Sequence, residues 1–108
     1  MKPWRLTPRA QDSLVDIALW TIQTFGPAQA EAYEAEVLDR CQAVAAGHAL
    51  LRDCSVFVGE AGALSYARAG EHFLIVHEMA DEIVIVDILH SRSDLPRRIA
   101  ALHAMRQA

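Results

Sequence analysis

Two stretches in the second half of the chain, HFLIVHE (His72–Glu78) and EIVIVDIL (Glu82–Leu89), are apolar at alternate and at intervening positions alike. Side chains alternate across a strand. Ile83, Ile85 and Leu89 are therefore expected to point one way and Val84, Val86 and Ile88 the other, with Phe73 and Ile75 opposing Leu74 and Val76 in the same manner. An antiparallel sheet wetted on one side needs a single apolar face. Here both faces need a cover, and the rest of the chain must supply it.

The first half offers two amphipathic helices. Pro3–Leu6 reads as a short strand with Trp4 and Leu6 on one side. Thr7 followed by Pro8 then starts a helix, because a hydroxyl can cap the free N–H groups and proline loses nothing at the first position. Leu14, Ile17, Ala18, Ile22 and Phe25 recur along it at helical spacing, and Gly26 with Pro27 ends it. Ala30, Tyr33, Val37, Cys41 and Val44 form the stripe of a second helix that stops at Gly47 and carries Glu31, Glu34, Asp39 and Arg40 on its other face. The short joint predicts an antiparallel αα-hairpin.

His48–Gly62 shows no period and reads as loop. Leu64–Arg68, His72–Glu78 and Glu82–Leu89 read as strands, joined at Gly70 and at Met79–Asp81 by hairpin-length turns, so they should be antiparallel neighbours. Asp94 is a candidate N-cap, and Leu95, Ile99, Leu102 and Met105 stripe a closing helix. The order is β-αα-βββ-α, an α+β domain over residues 1–108 with a helical hairpin on a mostly antiparallel sheet. The hairpin covers one sheet face and the short last helix only part of the other. The expected remainder, built from Leu74, Val76, Val84, Val86 and Ile88, would be an exposed apolar patch of the kind that marks a partner site.

Composition narrows the function. No apolar run approaches the ~20 residues of a membrane helix, and the N-terminus MKPWRLTPRAQDS has no secretory apolar core, so a cytoplasmic protein is expected. Cys41 and Cys54 fit no zinc spacing, and the five histidines form no helical pair, so neither metal nor cofactor is expected. The net charge of −4 argues against general or direct sequence-specific DNA binding. Its distribution is uneven: residues 1–89 sum to −7, whereas residues 90–108 carry Arg92, Arg97, Arg98 and Arg106 against Asp94 alone. The bland reading of these arginines is a solvated helix face; the functional one is a binding patch.

Several short patterns, in order, carry a resemblance. Ala10, Leu14 and Ile17 fit A-x-x-D-L-x-x-I, with Ser13 where aspartate is usual. Gly26, Gln29, Ala30 and Tyr33 fit G-x-x-x-A-x-x-Y; Gly70, Glu71, His72 and Phe73 fit a turn plus histidine; Ile88, Leu89, His90, Arg92 and Asp94 fit I-L-H-x-R-x-D. Over about Trp4 to Leu102 the chain resembles the ParE toxins of bacterial type II toxin–antitoxin modules, in the RelE/ParE superfamily. It departs where an Arg-Pro-Gly is common (here Val56, Phe57, Val58, Gly59) and where tyrosine and arginine end the middle strand (here Val76, His77).

The resemblance implies a growth inhibitor neutralised by a ParD-like antitoxin, which would cover the patch of Leu74, Val76, Val84, Val86 and Ile88. ParE-type members act on DNA gyrase, and RelE-type relatives cut messenger RNA on the ribosome. RNA cleavage without metal needs a base, an acid and cations for the phosphorane. This chain has one lysine, Lys2, and only Arg68 and Arg92 on or beside the sheet. The gyrase reading is preferred, with Arg92, Arg97, Arg98 and Arg106 as target contacts and no catalytic residue. The alternatives are a ribonuclease using Arg68, His90 and Arg92, and an inactive antitoxin-binding relative. His90 is read first as fixing the turn after its strand, and Asp94 as capping the last helix and pairing with Arg92.

Overall fold

Both helices of the hairpin begin on a proline and share one glycine. In the computed structural model, which describes residues 1–59 and 64–107, strand β1 (Trp4–Leu6) leads into α1 (Pro8–Phe25) and then α2 (Pro27–Ala45). The Thr7 hydroxyl accepts from the Ala10 N–H at 3.1 Å, the capping bond that the sequence predicts. Gly26 closes α1 by donating its N–H to Ile22 O, and its φ of 95° turns the chain into α2 at once. Only glycine takes that backbone conformation without strain.

The segment expected to be loop contains two short elements, β2 (Arg52–Asp53) and α3 (Ser55–Val58), while its last three residues, 60–62, lie outside the described residues. β3 (Leu64–Ala69), β4 (His72–Glu78) and β5 (Ile83–His90) follow, and α4 (Leu95–Gln107) closes the chain. The five strands lie in the order β1-β5-β4-β3-β2, antiparallel except that β1 runs parallel to β5. This is the predicted α+β architecture, with β2 and α3 added.

A bulge corrects the strict alternation read from β5. Ile75 pairs with Asp87 and Val76 with Ile85, so Val86 has no partner on β4. One extra residue shifts the phase of everything after it. Ile83, Ile85 and Ile88 therefore share the hairpin face with Leu74 and Val76, whereas Val84, Val86 and Leu89 share the other with Ile75. Leu89 and Ile88 have exchanged the faces that a regular strand would give them.

That other face is sealed as well. Cys54, Leu64 and Phe57 from the β2–β3 region join Leu95, Ile99 and Leu102 of α4 in a second core against it. The expectation of an exposed patch at Leu74, Val76, Val84, Val86 and Ile88 is thereby corrected: the five lie on two faces and all are buried. Apolar surface does remain open on α1, where Ile22 and Phe25 of the predicted stripe are exposed together with Val15, Leu19 and Trp20, and at Leu50 and Val56. Met105, the last of the predicted α4 stripe, is exposed too.

The second core can be tested by cavity creation. Ile99→Ala, at a fully buried position, should cost about 2–5 kcal/mol in denaturant unfolding. Val56→Ala, on the outside of α3, should stay within about 0.5 kcal/mol of the parent. A mild effect at Ile99 would show that α4 does not seal the sheet.

Candidate functional site

The polar residues at the strand ends gather around one tyrosine. His72 opens β4 and pairs across the sheet with His90 at the end of β5, and their rings meet edge to face with centroids 5.0 Å apart. Tyr33 reaches this place from α2. Its hydroxyl accepts from the Glu71 N–H (2.9 Å), lies 2.6 Å from His72 Nδ1 and donates to Ala69 O (3.2 Å). All three contacts are satisfied when neutral His72 carries its proton on Nδ1 and donates to the tyrosine oxygen. The turn must be glycine: a Cβ on Gly70, at φ 60°, would stand 2.6 Å from the Tyr33 ring.

Burial, followed by the neighbouring His90, depresses the His72 pKa to about 4. Burial also raises that of Tyr33. The pair is thus a neutral hydrogen-bonded unit at physiological pH. It forms one wall of a cleft of about 610 Å³ whose other side is Asp16, Ile17, Trp20, Thr21 and Phe25 of α1, with Gln29, Glu71 and His90 completing the lining.

The residues proposed for RNA cleavage do not converge. Arg68 pairs with Phe73, one position away from the Ala69–His72 pair, and so projects from the face opposite to His72 and His90. Its guanidinium lies 5.6 Å from the centre of the Phe73 ring and donates to Gly70 O at 2.8 Å. His90 Nδ1 accepts from the Arg92 N–H at 3.0 Å, which fixes the turn, while the Arg92 side chain is exposed.

Nor do the C-terminal arginines form one patch. The Asp94 carboxylate accepts from the Arg97 N–H at 3.4 Å, an N-cap bond, and Arg97 and Arg98 are exposed in the first turn of α4. The expected Asp94–Arg92 ion pair does not form; among the described residues ion pairs join Lys2 to Glu78 and Arg5 to Glu82. Arg106 sits roughly 13 Å further along the helix axis. It binds the ring of His77, with Nε donating to Nδ1 at 3.2 Å and Nη2 at 2.7 Å from the same atom. Burial and then this guanidinium lower the His77 pKa.

Folding also assembles a cationic group that the sequence hides. Arg40, Arg52 and Arg68, from three separate elements, line a cleft of about 430 Å³ with Tyr66 and Phe73, and among the described residues no carboxylate is in its walls. The residues lie too far apart in the chain for charge patterning to reveal them. Among the described residues no group of histidine, cysteine or carboxylate side chains is placed to hold a metal, and no helix is long and apolar enough to cross a membrane.

Comparison with known proteins gives a family match. Residues 4–95 match the family described as the ParE toxin of the type II toxin–antitoxin system, parDE. Among solved structures, a chain of the chromosomal ParDE TA system from P. aeruginosa shares the fold, with a TM-score of 0.68 and 16% identity. The match covers 83% of this chain and 96% of that one. No curated protein matches the sequence.

The His72 pKa sets a pH dependence. An unfolded histidine binds its proton near pH 6.5, whereas native His72 resists protonation down to about 4. Between these values the unfolded state holds more protons, so this residue makes the fold less stable as pH falls from 6.5 toward 4. Thermal melting of the wild type should drop across that window, and His72→Asn should drop less. Parallel curves would show that His72 is not held neutral.

Proposed function

The chain belongs to the ParE toxin family of type II toxin–antitoxin systems, and on that premise we propose that it inhibits growth by poisoning DNA gyrase in the cytoplasm and is neutralised by a ParD-like antitoxin. The family match carries this reading, because it runs from β1 to the start of α4 and so takes in every strand of the sheet. The geometry favours gyrase over RNA as target. A ribonuclease needs a proton-transfer group and cations around one phosphate, and here Arg68 and His90 lie on opposite faces.

Gyrase on DNA is an anionic target, which an exposed cationic group can steer toward. Arg97 and Arg98 suit this role. They lie in the first turn of α4, where the helix dipole disfavours positive charge by a few tenths of a kcal/mol. An anionic partner would reverse that penalty. Arg92 in the preceding turn adds to the same end of the helix, whereas Arg106 is engaged with His77 and contributes less.

The test is gyrase-mediated cleavage of supercoiled DNA by the purified toxin. Arg97→Ala with Arg98→Ala should reduce cleavage at least tenfold without lowering the melting temperature, and Arg106→Ala should have a smaller effect. Arg40→Ala with Arg52→Ala serves as a comparison for the second cationic group. A fully active Arg97/Arg98 variant would remove α4 from the target contact. Codon-phased messenger cleavage in cells, lost in His90→Ala, would replace gyrase with RNA.

A further inference from the structure

The cleft of Arg40, Arg52 and Arg68 lies at an unfinished corner of the sheet. Strand β2 pairs with β3 only at Ser65 and Tyr66, so among the described residues no strand lies beside the rest of that edge of β3. The space of about 430 Å³ opens there, reached by Arg40 from α2, Arg52 from β2 and Arg68 from β3. All three arginines are exposed, and neither ion pair of the described residues involves them.

The nearest carboxylates are turned to other work. Asp53, next to Arg52, accepts from the Ser55 N–H at 2.8 Å. Glu36 and Asp39 line a separate hollow on α2 that shares only Arg40 with the cleft. The charge of Arg40 is therefore partly offset, and Arg52 and Arg68 carry most of the attraction. Arg68 is also held in position: its Nε donates to Gly70 O at 2.8 Å, and its guanidinium stands over the Phe73 ring. That bond fixes the side chain and leaves its two Nη groups to donate elsewhere. The Tyr66 and Phe73 rings, 5.2 Å apart, supply aromatic surface beside it.

This combination selects a ligand. Guanidinium forks match phosphate oxygens, and aromatic and guanidinium planes accept a heterocyclic base. Three cations suit a multiply charged phosphate chain better than the single charge of a carboxylate side chain. The volume falls within the ~300–1,000 Å³ of small-molecule sites. A long strand or duplex would have to run past Glu36 and Asp39 on a chain of net charge −4, whereas a compact ligand meets only the cleft.

We propose that the cleft between α2 and the β2–β3 corner binds a free nucleoside di- or triphosphate, its phosphates on Arg40, Arg52 and Arg68 and its base against Tyr66 and Phe73. This goes beyond the toxin reading and does not depend on it, since none of the arginines assigned to target contact lines the cleft.

Calorimetric titration of the purified chain with ATP, ADP, AMP, adenosine and pyrophosphate tests it. Affinity should rise from AMP to ATP, adenosine should not bind, and pyrophosphate should bind more weakly than ADP. Arg40→Ala with Arg52→Ala should weaken ATP binding at least about tenfold with melting unchanged. Arg52→Gln, which keeps part of the aliphatic stem, should weaken it in the same direction. Arg9→Ala, at an exposed arginine outside the cleft, should leave it as it is. An equal loss in Arg9→Ala would reduce the binding to diffuse charge, and pyrophosphate as tight as ADP would leave no place for a base. A single-stranded oligothymidylate bound more tightly than ATP would assign the cleft to a nucleic-acid strand. Any of these results, or no binding of ATP at millimolar concentration, would overturn the proposal.

Discussion

Strand β5 must be dry on both sides, and the chain meets that demand by setting a carboxylate into the strand and bending around it. Seven of its eight residues are buried, Asp87 among them. A buried carboxylate is costly unless its oxygens find donors. Asp87 Oδ1 accepts from the Ser13 hydroxyl at 2.5 Å and from the Ile88 N–H at 2.7 Å. Beside it Thr7 donates its N–H to Ile85 O at 3.0 Å and its hydroxyl to Val86 O at 2.7 Å. The first turns of α1 are thus tied to the bulge, and the hairpin's placement on the sheet follows. Ser13, where the family pattern has aspartate, is the donor that Asp87 requires; a second carboxylate there would oppose it unless one of the two were protonated.

Much of this was legible in the sequence because it is local. Thr7-Pro8, Gly26-Pro27 and the two helical stripes give the hairpin, and Gly70 gives the β3–β4 turn. The bulge was not legible. A period of two carries no sign that one residue will be skipped, and a single skip exchanged the faces of Ile88 and Leu89. The short elements β2 and α3 have too few residues to show any period, so Cys54 and Phe57 could not be seen as cover for the second face. The misplaced apolar patch follows from those two omissions. Of the candidate site, His90 as a turn-fixing residue and Asp94 as a cap could be read from their positions. The Tyr33–His72 unit and the cleft of Arg40, Arg52 and Arg68 join distant parts of the chain and exist only once it is folded.

The finished molecule separates its surfaces by charge. The hairpin, on one face of the sheet, is apolar on α1 and acidic around it. α4, on the other face, presents Arg97 and Arg98 to solvent. A partner drawn to one surface is electrostatically unsuited to the other.

The central claim is that the sheet is closed on both faces within this chain. Hydrogen–deuterium exchange of the free chain measures this directly. The account predicts that amides of β4 and β5 exchange only through global unfolding. Rapid exchange of β5 under conditions where the chain stays folded would contradict it.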